Sequence, residues 1–370
     1  MSTDITTAVP APPAGPSAMQ RLLGLNLVRS LLVSLGVLVV GVLLLESTDA
    51  YTNTQLSSLT YFTIAAIGLT ALTGLNGQIS LGHGALMAVG AYTTALMLDT
   101  DSPLPFPVIA LAAIVMTSLV GFVVGIGAAR LHGPYLAGAT LAFAVALPSV
   151  ALYFKGTFNG EAGLTVISPR PPEWFVSFID AVSGEFATSS KYVAYLGLFC
   201  LVIALFFALN LGRSKIGRHW RAVRDQEVAA EIAGINLGRT RVQAFVISAA
   251  YAGLAGAVMA MVVRLAAPTV FTLVLSLSLL TAVVIGGLGS ITGAFIGSAV
   301  LVFLPPLVTD LSTDAKLSDT QAAQMSPLIY GIVLVLVMLL APGGVMGTLS
   351  MAWRRRRARR QLTATPTKKG

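Results

Sequence analysis

Residues 192–211, YVAYLGLFCLVIALFFALNL, run directly into residues 212–241, GRSKIGRHWRAVRDQEVAAEIAGINLGRTR, and this junction decides the fold class. The first stretch is 20 residues long and carries no formal charge. A helix of about 20 apolar residues rising 1.5 Å each crosses the roughly 30 Å hydrocarbon core of a bilayer. The second stretch sets Arg213, Lys215, Arg218, Arg221, Arg224, Arg239 and Arg241 against Asp225, Glu227 and Glu231. A basic excess beside an apolar span marks a cytoplasmic loop.

Working outward, the same alternation repeats along the chain. Apolar runs occur near 29–45, 57–75, 79–98, 106–130, 134–153, 192–211, 242–263, 271–287, 291–309 and 327–350. The expected fold is an all-α polytopic bundle of about ten spans. The composition agrees: 55% of the 370 residues are hydrophobic and only 10% charged, with a mean hydropathy of +0.84, too little polar surface to coat a soluble globule of this size. The formal charge of +8 sits mainly in two clusters, the 212–241 loop and the tail that begins Trp353-Arg-Arg-Arg-Arg. Such a distribution orients a membrane protein and does not make a nucleic-acid surface. The connections holding Glu46 and Asp49, Asp99 and Asp101, residues 154–191, and Asp310 to Asp319 lack a basic excess. Ten spans with both termini in the cytoplasm satisfy every loop. Residues 1–27 read as a disordered cytoplasmic tail, 28–350 as the membrane body and 351–370 as a basic cytoplasmic tail.

Enzyme chemistry finds little support. His83, His132 and His219 are scattered, Cys200 is the lone cysteine, and neither a zinc-binding H-E-x-x-H nor a phosphate-cradling G-x-x-x-x-G-K-[ST] occurs. No cofactor or metal is expected, and any ATP hydrolysis belongs to other subunits.

Three segments depart from plain span composition. In Gly74-Leu-Asn-Gly-Gln-Ile-Ser-Leu-Gly-His-Gly-Ala85 the Asn76-Gly77 turn signal is followed by Gln78, Ser80 and His83 at the start of a span. Either this is an interfacial turn with a packed histidine, or a broken helix whose polar groups line a substrate path. Gly82 and Gly84 on either side of His83 permit close approach of another backbone. In Gly286-Gly-Leu-Gly-Ser-Ile-Thr-Gly293, four glycines in eight residues cost about 1 kcal/mol each relative to alanine in a helix. Either Gly286, Gly287, Gly289 and Ser290 break the helix towards a pore, or the glycines form a tight helix crossing. The pairs Gly121/Gly125 and Gly293/Gly297 have the G-x-x-x-G spacing of close helix packing.

The third segment is the cytoplasmic run Gly217 to Asn236. Its composition predicts one helix to Ala233, stopped by Gly234 and Asn236. Arg221 and Asp225 are spaced to pair, while Glu227 and Glu231 repel unless an outside cation meets them. Ala229, Ala230 and Ala233 leave room for another protein surface. A basic loop adhering to anionic lipid is the competing reading.

Val228-Ala-Ala-Glu-Ile-Ala-Gly234 resembles the EAA-x-x-x-G coupling loop of bacterial ABC importer permeases, with valine where the motif has its first Glu and Glu227 one residue earlier. Gly77-Gln-Ile-Ser-Leu-Gly-His-Gly-Ala85 with Gly90-Ala-Tyr92, Arg221 to Asn236, Ala249-Ala-Tyr-Ala-Gly-Leu-Ala-Gly-Ala257 and Val284 to Gly293 follow in an order similar to the LivM-type permeases of branched-chain amino acid importers. The resemblance implies a type II-like ABC permease in the bacterial plasma (inner) membrane. It would partner a LivH-like second permease, two LivF/LivG-like ATPases and an external amino-acid-binding protein, with lipid around it. Arg221, Arg224, Glu227, Ala229, Ala230, Glu231 and Gly234 would then couple ATPase motion to the spans. Related permeases serve urea or short amides. An ion-driven carrier needs an intramembrane ion site, and no Asp or Glu falls well inside an expected span; a scaffold protein would need no such loop.

Overall fold

The computed structural model describes residues 26–98, 104–131, 133–183, 188–314, 319–340, 343–349 and 353. The expected tails, 1–27 and 351–370, lie almost wholly outside these residues, as do His132 and most of the arginine cluster after Trp353.

The described chain is mostly helical, as its composition requires: with no water in the hydrocarbon, a spanning segment must satisfy its backbone internally. The helices are α1 (Asn26–Ser47), α2 (Ala50–Leu69, prolonged by a π-helical turn, Thr70–Leu75), α3 (His83–Leu98), α4 (Phe106–Ala129), α5 (Pro134–Tyr153), α6 (Lys155–Phe158), α7 (Glu173–Ser183), α8 (Ser189–Arg213), α9 (Lys215–Asp225), α10 (Glu227–Ile232), α11 (Leu237–Val263), α12 (Leu273–Gly286), α13 (Ile291–Asp314) and α14 (Asp319–Leu340). Among the described residues seven helices are long and apolar enough to cross a membrane, those at 27–47, 50–75, 106–129, 135–153, 189–213, 237–263 and 291–312; three shorter apolar helices, at 83–98, 273–286 and 327–337, accompany them. The expected run 79–98 begins its helix only at His83, because residues 77–82 turn and are not helical. The expected run 327–350 is a helix that starts earlier, at Asp319, and is followed by a separate helical segment over 344–349.

α11 is the axis of the bundle, packed along α4, α3 and α2; α2 also meets α8, which carries α1, and α12 leads through α13 to α14. α3 and α4 owe their close approach to α11 to small residues. Added Cβ atoms would lie 2.4 Å from the Gly253 carbonyl oxygen at Gly90, 2.0 Å from that of Met87 at Gly256, and 2.3 Å from Ala249 Cβ at Gly121. In lipid no hydrophobic drive holds helices together, so this backbone proximity supplies the dispersion contact that does. Gly121 and Gly125 pack on α11, and Gly293 and Gly297 on α12, in keeping with their spacing.

Two features of the 154–191 connection escape hydropathy. A two-residue antiparallel ribbon pairs β1 (Leu164–Thr165) with β2 (Leu265–Ala266). α7 lies amphipathically across the same end of the bundle, burying Phe175 and Ile179 while Trp174 stays exposed.

Candidate functional site

The three unusual segments converge at the end of the bundle that carries the 212–241 loop. After the π-helical turn, Asn76 caps the chain and Gly77 turns it with φ of +80°. The amides freed by this break find partners: Gln78 N–H donates to the Leu72 carbonyl, 3.2 Å, Leu81 N–H to Thr140 Oγ1, 3.0 Å, Gly82 N–H to Ser80 Oγ, 3.3 Å, and Gly84 N–H to Ser276 Oγ, 3.0 Å. Gln78 Nε2 donates to Asn76 Oδ1 at 2.5 Å. Asn76, Gln78, Ser80 and His83 are all buried. The His83 imidazole faces the Ala65 carbonyl without reaching hydrogen-bond geometry. Asn76 Nδ2, Gln78 Oε1 and both His83 nitrogens therefore have no hydrogen-bond partner among the described residues, a costly arrangement in an apolar surround. A Cβ at Gly82 would lie 2.9 Å from the Thr140 carbonyl oxygen and one at Gly84 2.8 Å from Ser276 Oγ, so these glycines admit α5 and α12 beside His83.

At the second break the helix ends and a tight crossing forms, at different glycines. Gly287 and Gly289 have φ of +111° and +83°, conformations that end α12 and reverse the chain. Ser290 then starts α13, its Oγ accepting from Gly293 N–H at 3.1 Å. Gly286 and Gly293 form the tight crossing, each too close to the other's backbone to carry a Cβ. Residues 343–344 close over the break: the Gly343 carbonyl oxygen would lie 2.8 Å from a Cβ at Gly287.

The expected single helix over Gly217–Ala233 is two helices. Gln226 adopts extended backbone, φ −156° and ψ 103°, between α9 and α10. α9 drives Trp220 and Val223 into the bundle, where Trp220 packs with Ala71, Leu72, Ala128, Leu136, Ala244 and Phe245. This anchor was visible in the spacing of Ile216, Trp220 and Val223, one apolar stripe on a basic helix, but the charge pattern drew the reading away from it. The expected Arg221–Asp225 pair does not form. Asp225 is held by Arg224, 2.8 Å, because the same guanidinium is already fixed by donating to the Gly74 carbonyl at 2.6 Å. Glu227, expected to need an outside cation, is met within the chain by Arg241 at 2.6 Å, whose other nitrogen donates to the Ala129 carbonyl at 3.2 Å. Gly234, φ +83°, ends α10, but Asn236 is not a stop: its side chain caps α11 by accepting from Arg239 N–H at 2.9 Å.

Arg224 thus joins all three segments. Its Cγ would lie 2.8 Å from a Cβ on Gly77, its Nη1 3.8 Å from one on Gly289, and a Cβ on Gly74 would meet Gly289 N at 2.1 Å. Sequence reading placed Gly74 in the first segment without a role and missed the backbone contact with Gly289. Beyond this root, α10 stands out from the bundle. Ala230 turns inward, Ala229, Glu231 and Gly234 are exposed, and Val228 and Ile232 are 72% and 84% exposed. Arg221 is half-buried on the face of α9.

Two cavities lie at the opposite end, and none of the sequence-predicted site residues lines them. One, of about 1260 Å³, is an apolar groove among α1, α4, α7 and α8. The other, of about 520 Å³, lies where the α1–α2 connection, the start of α8 and the end of α11 meet.

Comparison with known proteins places this geometry in a family. Residues 51–340 match the family model described as branched-chain amino acid transport system / permease component. The chain is 32% identical over 299 residues to the high-affinity branched-chain amino acid transport system permease protein LivM of Escherichia coli K12, covering 77% of this chain and 67% of LivM. It is 26% identical over 302 residues to BraD of Pseudomonas aeruginosa and 26% over 294 residues to LivH of Escherichia coli K12, permease proteins of the same description, each alignment covering 77% of this chain and 91% of the relative. No solved structure matches the chain. The helical bundle, the glycine breaks and the rooted loop thus belong to a permease subunit rather than an enzyme, and the chain is a member of the family of permease components of branched-chain amino acid transport systems.

Proposed function

We propose that the chain is the membrane path of an ATP-driven importer that moves branched-chain, hydrophobic amino acids into the cytoplasm. It works beside a LivH-like second permease, two LivF/LivG-like ATPases and an external binding protein. About ten spans cross the bacterial inner membrane in a type II-like arrangement, with both termini and the α9–α10 loop in the cytoplasm. The observation that carries this reading is α10, a short helix that offers Val228 and Ile232 to solvent from an otherwise charged loop. A loop made only to adhere to anionic lipid would offer cations; an exposed apolar pair on a rooted helix suits a protein partner.

An ATPase gripping α10 would pull on Glu227 and, through the turn at Gln226, on Arg224. Arg224 holds Gly74, and Gly74 holds Gly289. The two broken segments, with Asn76, Gln78, Ser80, Gly82, His83 and Gly84 on one and Gly286, Gly287, Gly289 and Ser290 on the other, are the elements that would shift to alternate access. Co-purification from the native host followed by vanadate-sensitive uptake of leucine, isoleucine and valine in vesicles tests the proposal. Uptake that persists without an ATPase partner overturns it. Gly234→Pro forces φ from +83° to about −65°, and Glu231→Arg reverses a charge beside Ile232. Both are expected to lower ATPase recovery in a chain that still inserts, and wild-type recovery and uptake in both would remove the coupling role of α10.

A further inference from the structure

The cavity of about 520 Å³ falls within the roughly 300–1,000 Å³ of small-molecule sites, and its walls are ordered by polarity. At its rim stand Asp49, which precedes α2, and Arg264, which follows α11, both exposed. Beneath them lies the hydroxyl of Ser57, and the floor is Val193, Val262 and Met261. The third charged residue on the wall, Lys191, is already neutralised by Glu46 at 2.7 Å. Asp49 Oδ1 accepts from Thr52 Oγ1 at 2.6 Å, which keeps the carboxyl below the ordinary carboxylate range and so charged. Arg264 gives one nitrogen to Ser190 Oγ at 2.9 Å and has four other N–H donors to offer. It sits at φ +61°, one of two such non-glycine residues among those described, clamped where its carbonyl accepts from Val166 N–H at 3.0 Å. A side chain held at the lip of a cavity by uncommon backbone is a pointer to function.

An anion and a cation above an aliphatic floor match a molecule with the same three parts. We propose that this cavity binds a zwitterionic α-amino acid with a short aliphatic side chain, its carboxylate on Arg264, its ammonium on Asp49 and its side chain over Val193, Val262 and Met261. It is the outer station of the path, a role that rests on the transport reading and orientation above. The probe is a diazirine analogue of L-leucine, photolysed with the complete purified complex in the absence of binding protein, with adducts mapped by mass spectrometry. Adducts are expected at Val193, Met261 or Val262, and suppressed by L-leucine at concentrations about tenfold or more below those needed of 4-methylpentanoate, which lacks the ammonium, or isoamylamine, which lacks the carboxylate. Arg264→Gln and Asp49→Asn should abolish the labelling, and Arg264→Lys should retain part of it. Adducts elsewhere only, or equal competition by all three compounds, overturns the site; since that comparison uses the wild-type complex, it decides even if a variant fails to assemble. Leucine uptake by wild-type vesicles separates the two readings: labelling without uptake sinks the transport reading and keeps the site, and uptake without labelling does the reverse.

Discussion

Gly74→Ala should disable the junction of the three segments by adding one methyl group. The new Cβ would lie 2.1 Å from Gly289 N and 2.4 Å from Gly289 Cα. Both are backbone atoms, so no rotamer change relieves the clash. The segments must part by more than an ångström to reach the 3.4 Å at which ordinary contact begins. Overpacking of this kind costs about 1–3 kcal/mol, and the upper part of that range is expected because neither side can yield alone. Separation also carries the Gly74 carbonyl away from Arg224, a charge-assisted bond of 2.6 Å. The matched control is Gly138→Ala in α5, where an added Cβ meets nothing within 4 Å and helix propensity favours the change by up to about 1 kcal/mol. The assay is the thermal midpoint of the purified complex in detergent, read by fluorescence-detected gel filtration, together with leucine uptake in vesicles. Gly74→Ala should lower both and Gly138→Ala neither. Equal midpoints and equal uptake for the two variants would refute the role assigned to the junction.

Three further outcomes follow from the ion pairs and the exposed helix. Lys191→Met should cost about 3 kcal/mol, because it takes the cation from a largely buried Glu46 carboxylate that keeps the hydrogen bond donated by the Tyr195 hydroxyl; adding Glu46→Gln should return part of the lost midpoint in a double-mutant cycle. Arg241→Gln should cost less, about 1 kcal/mol, since Glu227 is 47% exposed and water screens the pair; with Glu227→Gln present the further loss should shrink. Val228→Glu with Ile232→Glu should leave the midpoint of the isolated chain within about 0.5 kcal/mol of wild type, as exposed positions do. The same double variant should reduce co-purification of ATPase subunits, measured by affinity pull-down.

Much of the molecule is legible in its sequence. The apolar runs became helices close to their expected positions, and the turn chemistry of Asn76-Gly77 and Gly287-Leu-Gly289 marked real breaks. The loop beginning at Gly217 is helical, as its composition implied, and Gly234 ends it. Its division at Gln226 was not legible, because the break is enforced from outside: Trp220 and Val223 tie α9 to the bundle, while Arg241 draws Glu227 towards α11. The pairing of charges went astray for the same reason. Spacing along a helix lists the neighbours within reach on that helix, but long side chains choose among all acceptors in space, and Arg224 found Gly74, 150 residues away.

The sequence by itself determined that this chain lives in lipid, how its loops divide by charge, and that its spans break at Asn76-Gly77 and at Gly287-Leu-Gly289. Those properties are local: hydrocarbon thickness sets span length, and backbone sterics confine glycine-rich turns to few conformations. Only the tertiary structure decided that Gly74, Gly289 and Arg224 meet at one end, and that Asp49 and Arg264 face one cavity at the other. Each of these meetings joins residues far apart in the chain, and the glycine contacts are made by backbone atoms that every residue shares. Composition records that a glycine is present; the partner that needed the missing methyl appears only when the helices are packed.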